Sequence, residues 1–263
     1  RFSSDLTAPR IPSFCEGKLR MAEADQSEVA KYNERLILFV LATVQFITIV
    51  DFMIVMPLGP QLMRVLHIAP AAFGLIVSSY TFAAGVAGLI ASATVDRFSR
   101  KSAFLLLYAG FTLGTLLCGL APNYGTLVFA RVLTGAFGGI LGGISMAIIG
   151  DVFPDSRRGR ATGSLMTGFA IASVVGVPLG LVIGNNLGWN MTFITLGLLG
   201  MPIFFIAVYA LPVLNAHLGE AHVHPLESLR ITFTVPNHLN AFALIIALTS
   251  SGFLIFPYVS AYY

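Results

Sequence analysis

Residues 36–59 read Leu-Ile-Leu-Phe-Val-Leu-Ala-Thr-Val-Gln-Phe-Ile-Thr-Ile-Val-Asp-Phe-Met-Ile-Val-Met-Pro-Leu-Gly, an apolar run whose one charge is Asp51. A helix rises 1.5 Å per residue, so about 20 apolar residues span the ~30 Å hydrocarbon core of a bilayer. This run is long enough to cross. Six comparable runs follow, at 72–94, 102–121, 125–149, 161–186, 191–212 and 239–263, and across all of them the only other formal charge is Arg131. The pattern predicts an all-α, polytopic membrane protein with about seven transmembrane helices. A β-barrel would instead show alternating segments of about ten residues, which the sequence lacks.

Composition points the same way. The chain has 263 residues, of which 56% are hydrophobic and 10% charged, whereas soluble domains carry about 25% charged residues. Fifteen Lys and Arg against twelve Asp and Glu leave a net charge of +3, spread along the loops rather than gathered in a nucleic-acid-binding patch. Their placement reports topology. Lys31 and Arg35 precede the first run, and Arg97, Arg100, Lys101, Arg157, Arg158, Arg160 and Arg230 fall in the connections after the second, fourth and sixth, while the opposite connections hold only Arg64. The positive-inside rule then makes the N-terminus cytoplasmic and gives Trp189 the position of an interfacial anchor on the outer side. The expected location is a plasma membrane, the inner membrane of a bacterium.

Four segments are expected: a cytoplasmic tail at 1–35, a six-helix bundle at 36–212, a cytoplasmic linker at 213–238, and the first helix of a truncated second bundle at 239–263. Met21-Ala-Glu-Ala-Asp25 reads as an alternative start, which would make residues 1–20 non-native upstream sequence. The tail has no apolar run of the length a signal peptide needs, so the first transmembrane helix is expected to serve as the insertion signal. Small residues recur at helical spacing. Gly135, Gly138, Gly139, Gly142 and Gly143 overlap as Gly-xxx-Gly pairs, and Ala172, Gly176, Gly180 and Gly184 repeat every fourth residue. Such residues let helix backbones approach in lipid. Pro178 removes a backbone donor and should bend the fifth helix.

The two membrane charges carry the chemistry. A charge near the bilayer centre costs at least ~2.5–3.5 kcal/mol on insertion scales, and intramembrane ionisable residues usually mark substrate or proton pathways. Counting from the middle of each run puts Asp51 about 6 Å and Arg131 about 9 Å to the same, outer side, so a direct or water-bridged pair is sterically reasonable. The structural alternative is an ion pair that only fixes packing. Gly135, Gly138 and Gly142 share the Arg131 face of their helix, a smooth stripe suited to a cavity wall or a tight helix contact.

The connection after the second run reads Ser92-Ala-Thr-Val-Asp96-Arg97-Phe98-Ser99-Arg100-Lys101. It resembles the signature of the major facilitator superfamily, with Asp96, Arg97, Arg100 and Lys101 matching and Ser92 and Ser99 standing where glycines are usual. The resemblance implies a conformational-switch loop in which these residues cluster with an acid at the end of the fourth helix, here Asp151. Arg131-Val-Leu-Thr-Gly135 is similar to the fourth-helix motif linked to proton coupling, with Thr134 where Gln is common. The stretch Ala172 to Gly180 resembles the fifth-helix antiporter motif through Gly176, Pro178 and Gly180. Asp51 to Pro60 is loosely similar to the first-helix motif of drug:proton antiporters. The likeness covers about residues 34–263.

The resemblance implies a major facilitator fold and a secondary transporter of the bacterial drug or sugar efflux branch, exchanging a small molecule for protons by alternating access. Asp51 would be the proton site and Arg131 its modulator, with Gln45 and Tyr80 as substrate-cavity candidates. One charge crossing 100 mV is worth about 2.3 kcal/mol, enough for a gradient of roughly fiftyfold. An importer or uniporter, or a non-transporting membrane scaffold or sensor, are the alternative expectations. No cofactor, metal or enzymatic activity is expected. His217, His222 and His224 have no cysteine partners, Cys15 and Cys118 offer no disulfide framework, no phosphate-binding loop occurs, and Asn190-Met-Thr192 matches a glycosylation pattern only by coincidence.

Overall fold

The computed structural model describes residues 33–94, 98–212, 234, 239–248 and 250. Asn33 accepts from the backbone N–H of Arg35 and caps the first helix, α1 (Glu34–Ile54), whose opening residue Glu34 places an acid in the first turn. The apolar run outlasts this helix. It turns at residues 55–58 and enters a short helix, α2 (Gly59–Val65), with Pro60 in its first turn. His67 then takes a positive φ of 52° before Pro70 opens α3 (Pro70–Thr94). Next come α4 (Arg100–Gly119), capped by Ser99, and α5 (Tyr124–Val152), capped by Asn123.

The fifth crossing is composite. It runs as α6 (Asp155–Ile171), a π turn (Ala172–Gly176) and α7 (Val177–Leu187). At that π turn the N–H of Val177 reaches back five residues to the carbonyl of Ala172, absorbing one extra residue directly before Pro178. Gly188 at φ 100° is the whole connection to α8 (Trp189–Ala210), a backbone setting that a side chain would strain. Among the described residues, six helices are long and apolar enough to cross a membrane. Leu239–Leu248 is a shorter apolar helix with an exposed surface.

Two glycine sets create the close contacts. A Cβ on Gly135 would overlap the backbone of Tyr80 on α3, and one on Gly139 would overlap Ala84. Gly176, Gly180 and Gly184 face Val50, Ile54 and Leu58 of α1 and the turn after it. Gly142 and Gly143 have open space beside them, so the stripe on α5 is a helix contact at Gly135 and Gly138 and an open wall beyond. Asn190 donates to the Gly119 carbonyl at 3.0 Å, a packing role. Trp189 corrects an expectation: at 3% exposure it is buried against Phe193 inside the bundle and is no interfacial anchor.

The buried apolar residues form two main clusters. One gathers Ile37, Val44, Phe104, Phe111 and Ile148; the other gathers Ile54, Leu62, Ile76, Leu127 and Phe193. On α1 the first cluster ends at Ile47 and the second begins at Ile54; on α4 they end and begin at Phe111 and Cys118. The residues between them form a layer nearer the C-terminal ends of α1 and α4 than the middle of those helices.

Candidate functional site: a buried charge layer

Asp51 and Arg131 lie in that layer. From the observed helix bounds, Asp51 is seven residues past the centre of α1 and Arg131 seven before the centre of α5, so both sit about 10 Å to one side of mid-helix. They form a direct ion pair, with Arg131 Nη1 donating to Asp51 Oδ2 at 2.7 Å. Exposure of the two side chains is 1% and 0%, so the pair is shut off from bulk solvent. The same Nη1 donates to the Asp51 backbone carbonyl at 3.4 Å. That carbonyl belongs to the last turn of α1, where acceptors lack intrahelical donors and the helix dipole is negative. The guanidinium thus answers both the carboxylate and the helix end.

Two neighbours lie directly against the pair. Thr115 on α4 donates from Oγ1 to Asp51 Oδ1 at 3.3 Å, and the Arg131 guanidinium lies 4.4 Å from the Tyr80 ring centroid on α3. Among the described residues, Arg131 Nε is buried with no hydrogen-bond partner. Thr134 donates to the carbonyls of Ala130 and Arg131, so it braces the helix rather than the carboxylate.

Tyr80 is therefore a buried wall behind Arg131, with its hydroxyl beside Gly138. Gln45 is half-buried six residues before Asp51, about 120° round the helix from it. The structure brings Asp51, Arg131 and Tyr80 together and leaves Gln45 apart. Thr115 is the member the sequence did not single out. A threonine in an apolar helix carries no periodic signal, and only a count of its depth along α4 could have found it.

The opposite end of these helices holds a second set of charges. Arg100 Nε donates to Asp151 at 3.1 Å, linking the start of α4 to the end of α5. Arg157 grips Glu34 through two bonds of 2.8 and 3.0 Å, joining α6 to α1. Lys101 opens α4 beside Arg100. Asp96, Arg97 and the linker histidines lie outside the described residues.

The curated relatives fit this architecture. Inner membrane transport protein YdhP of Escherichia coli is 27% identical over 78% of this chain and 52% of its own length. A probable sugar efflux transporter of Pasteurella multocida is 28% identical over 72% of this chain and 46% of its own. Multidrug resistance protein 3 of Bacillus subtilis is 33% identical over 52% and 27%. The chain spans about half the length, or less, of these relatives. Among solved structures, a peptide transporter POT in complex with sulfate has a TM-score of 0.63 at 17% identity, over 90% of this chain and 52% of that one. A bacterial homolog of the lysosomal transporter Spinster, inward-facing and unoccupied, has a TM-score of 0.60 at 17% identity, over 68% and 43%. The likeness to both is one of fold. The family description Major Facilitator Superfamily matches residues 41–263, and with six membrane-length helices beneath that match, the chain is a multi-pass integral membrane protein of the Major Facilitator Superfamily.

Proposed function

We propose that the protein is a secondary active transporter that exports a small molecule, a drug or a sugar, in exchange for protons, by alternating access. The observation that carries the reading is a fully buried carboxylate, Asp51, held by one cation from another helix. Burial penalises the charged form and a cation favours it, so a shift of Arg131 alone switches the preferred protonation state. A proton taken up by Asp51 removes the charge that Arg131 answers. The freed guanidinium then weakens one tie between α1 and α5. Relatives named for sugar efflux and multidrug resistance support the export direction.

The same reading assigns 36–212 to an N-terminal bundle, 213–238 to a linker, and 239–263 to the first helix of a second bundle. It also assigns the charged end to the cytoplasm. There the Arg100–Asp151 tie, with Asp96, Arg97 and Lys101, would time the conformational exchange, while Gly176 and Gly180 keep the fifth crossing tight against α1 and Pro178 follows the π turn between them. Efflux of a panel of dyes and labelled sugars from cells expressing the full-length protein tests the reading. D51N should abolish the part driven by the proton gradient and spare downhill movement. Gradient-driven efflux by D51N at the wild-type rate overturns it.

A further inference from the structure

The buried hydroxyls in this bundle behave in two ways. Thr48, Thr112, Thr134 and Ser145 each donate to the carbonyl four residues back on their own helix, at 2.7 to 2.9 Å, the usual way for a hydroxyl to satisfy itself in an apolar helix. Thr192 donates across to the Gly180 carbonyl and binds α8 to α7. Thr115 is fully buried and sends its hydroxyl to a charged side chain on another helix, Asp51 Oδ1 at 3.3 Å. It is also the contact from α4 that reaches the carboxylate. With Arg131 on Oδ2 and Thr115 on Oδ1, the two oxygens are held from two neighbouring helices, α5 and α4, and the carboxylate plane is fixed.

We infer that Thr115 is a positioning residue for proton exchange at Asp51: its hydroxyl holds Oδ1 so that Oδ2 faces Arg131. The inference rests on the reading of Asp51 as the proton site. A hydrogen bond to a charged acceptor is stronger than one to a neutral acceptor, so the Thr115 hydroxyl favours the charged carboxylate over the acid. The titratable and charged groups that face this pair are Arg131 from α5, Tyr80 from α3 and Cys118 from α4, and Thr115 is the neutral donor among them.

Infrared difference spectra of the full-length protein in lipid, recorded across a pH titration without any substrate, test this. The carboxylic acid band that vanishes in D51N belongs to Asp51. In T115V, which keeps the side-chain shape, the pH midpoint of that band should move upward by about one unit, a tenfold change in proton binding, in keeping with the low end of the range for bonds to charged groups. T115S restores the hydroxyl and should return the midpoint to the wild-type value. If T115V does not accumulate in membranes, T115A carries the same test. A midpoint unmoved in T115V, or moved alike in T115S, overturns the role of Thr115 while leaving Asp51 as the proton site. Absence of any band lost in D51N overturns both.

Discussion

At the scale of single residues, the pair Asp51 and Arg131 invites a plain alternative, that it serves packing alone. Removing one partner of a buried pair strands the other charge at a cost of about 3–5 kcal/mol, whereas replacing both by neutral groups is often tolerated. D51N and R131Q should therefore each lower the yield of membrane-inserted protein, and the double variant should recover most of it. Recovery ought to stop there. Gradient-driven efflux should stay absent in the double variant, because no proton-binding group remains in the layer. Uphill efflux at wild-type rate from the double variant, measured alongside its yield, would make the pair structural.

That these two residues were legible in the sequence follows from the solvent. In hydrocarbon an ionisable side chain is costly enough that its presence alone is a signal, and counting along two helices set them on the same side at similar depth. Their partners were less legible. Tyr80 stood out as a possible cavity residue, yet its place behind the guanidinium depends on the approach of α3 to α5 at Gly135. Thr115 was silent, since a hydroxyl in an apolar helix satisfies itself locally unless a neighbouring helix offers a better acceptor.

The helices follow the apolar runs closely, with exceptions that have physical causes. The first helix stops at Ile54 although its run continues to Gly59, because apolar side chains also suit the buried turn and the short helix α2. Leu58 and Leu62 are buried there, and Gln61 on α2 donates to the Gly184 carbonyl at 3.0 Å. The π turn ahead of Pro178 was foreshadowed only as a bend. A missing donor says that the ladder must adjust, and not whether it kinks or widens.

Glycine spacing was the clearest signal at this scale, though spacing alone did not say which glycines are packed. G135A should be destabilising, since its methyl group meets the Tyr80 backbone, at a cost of about 1–3 kcal/mol for overpacking. G142A has open space and should be neutral or stabilising by about 0.5–1 kcal/mol from helix propensity. Thermal unfolding of the two variants in the same detergent compares them. Equal midpoints would contradict the contact between α3 and α5.

For the whole molecule, the loop charges set an orientation that labelling can read. In a background with Cys15 replaced by Ser and Cys118 buried, single cysteines at Pro122 and Asn186 should react with an impermeant thiol reagent from outside. Cysteines at Ser156 and Gly159 should react only once the membrane is opened. The opposite pattern would invert the topology. Positive charge in short loops is a strong guide to orientation.

Exchange of a substrate for protons at Asp51 requires that a bound substrate and a proton on Asp51 exclude one another. It is tested most directly by adding a ligand, identified by thermal shift from a panel of drugs and sugars, to the purified full-length protein in unbuffered detergent solution containing a pH dye. Binding should release about one proton per protein molecule, and none from D51N. A ligand that binds the wild-type protein without releasing a proton, or that releases the same amount from D51N, would contradict it.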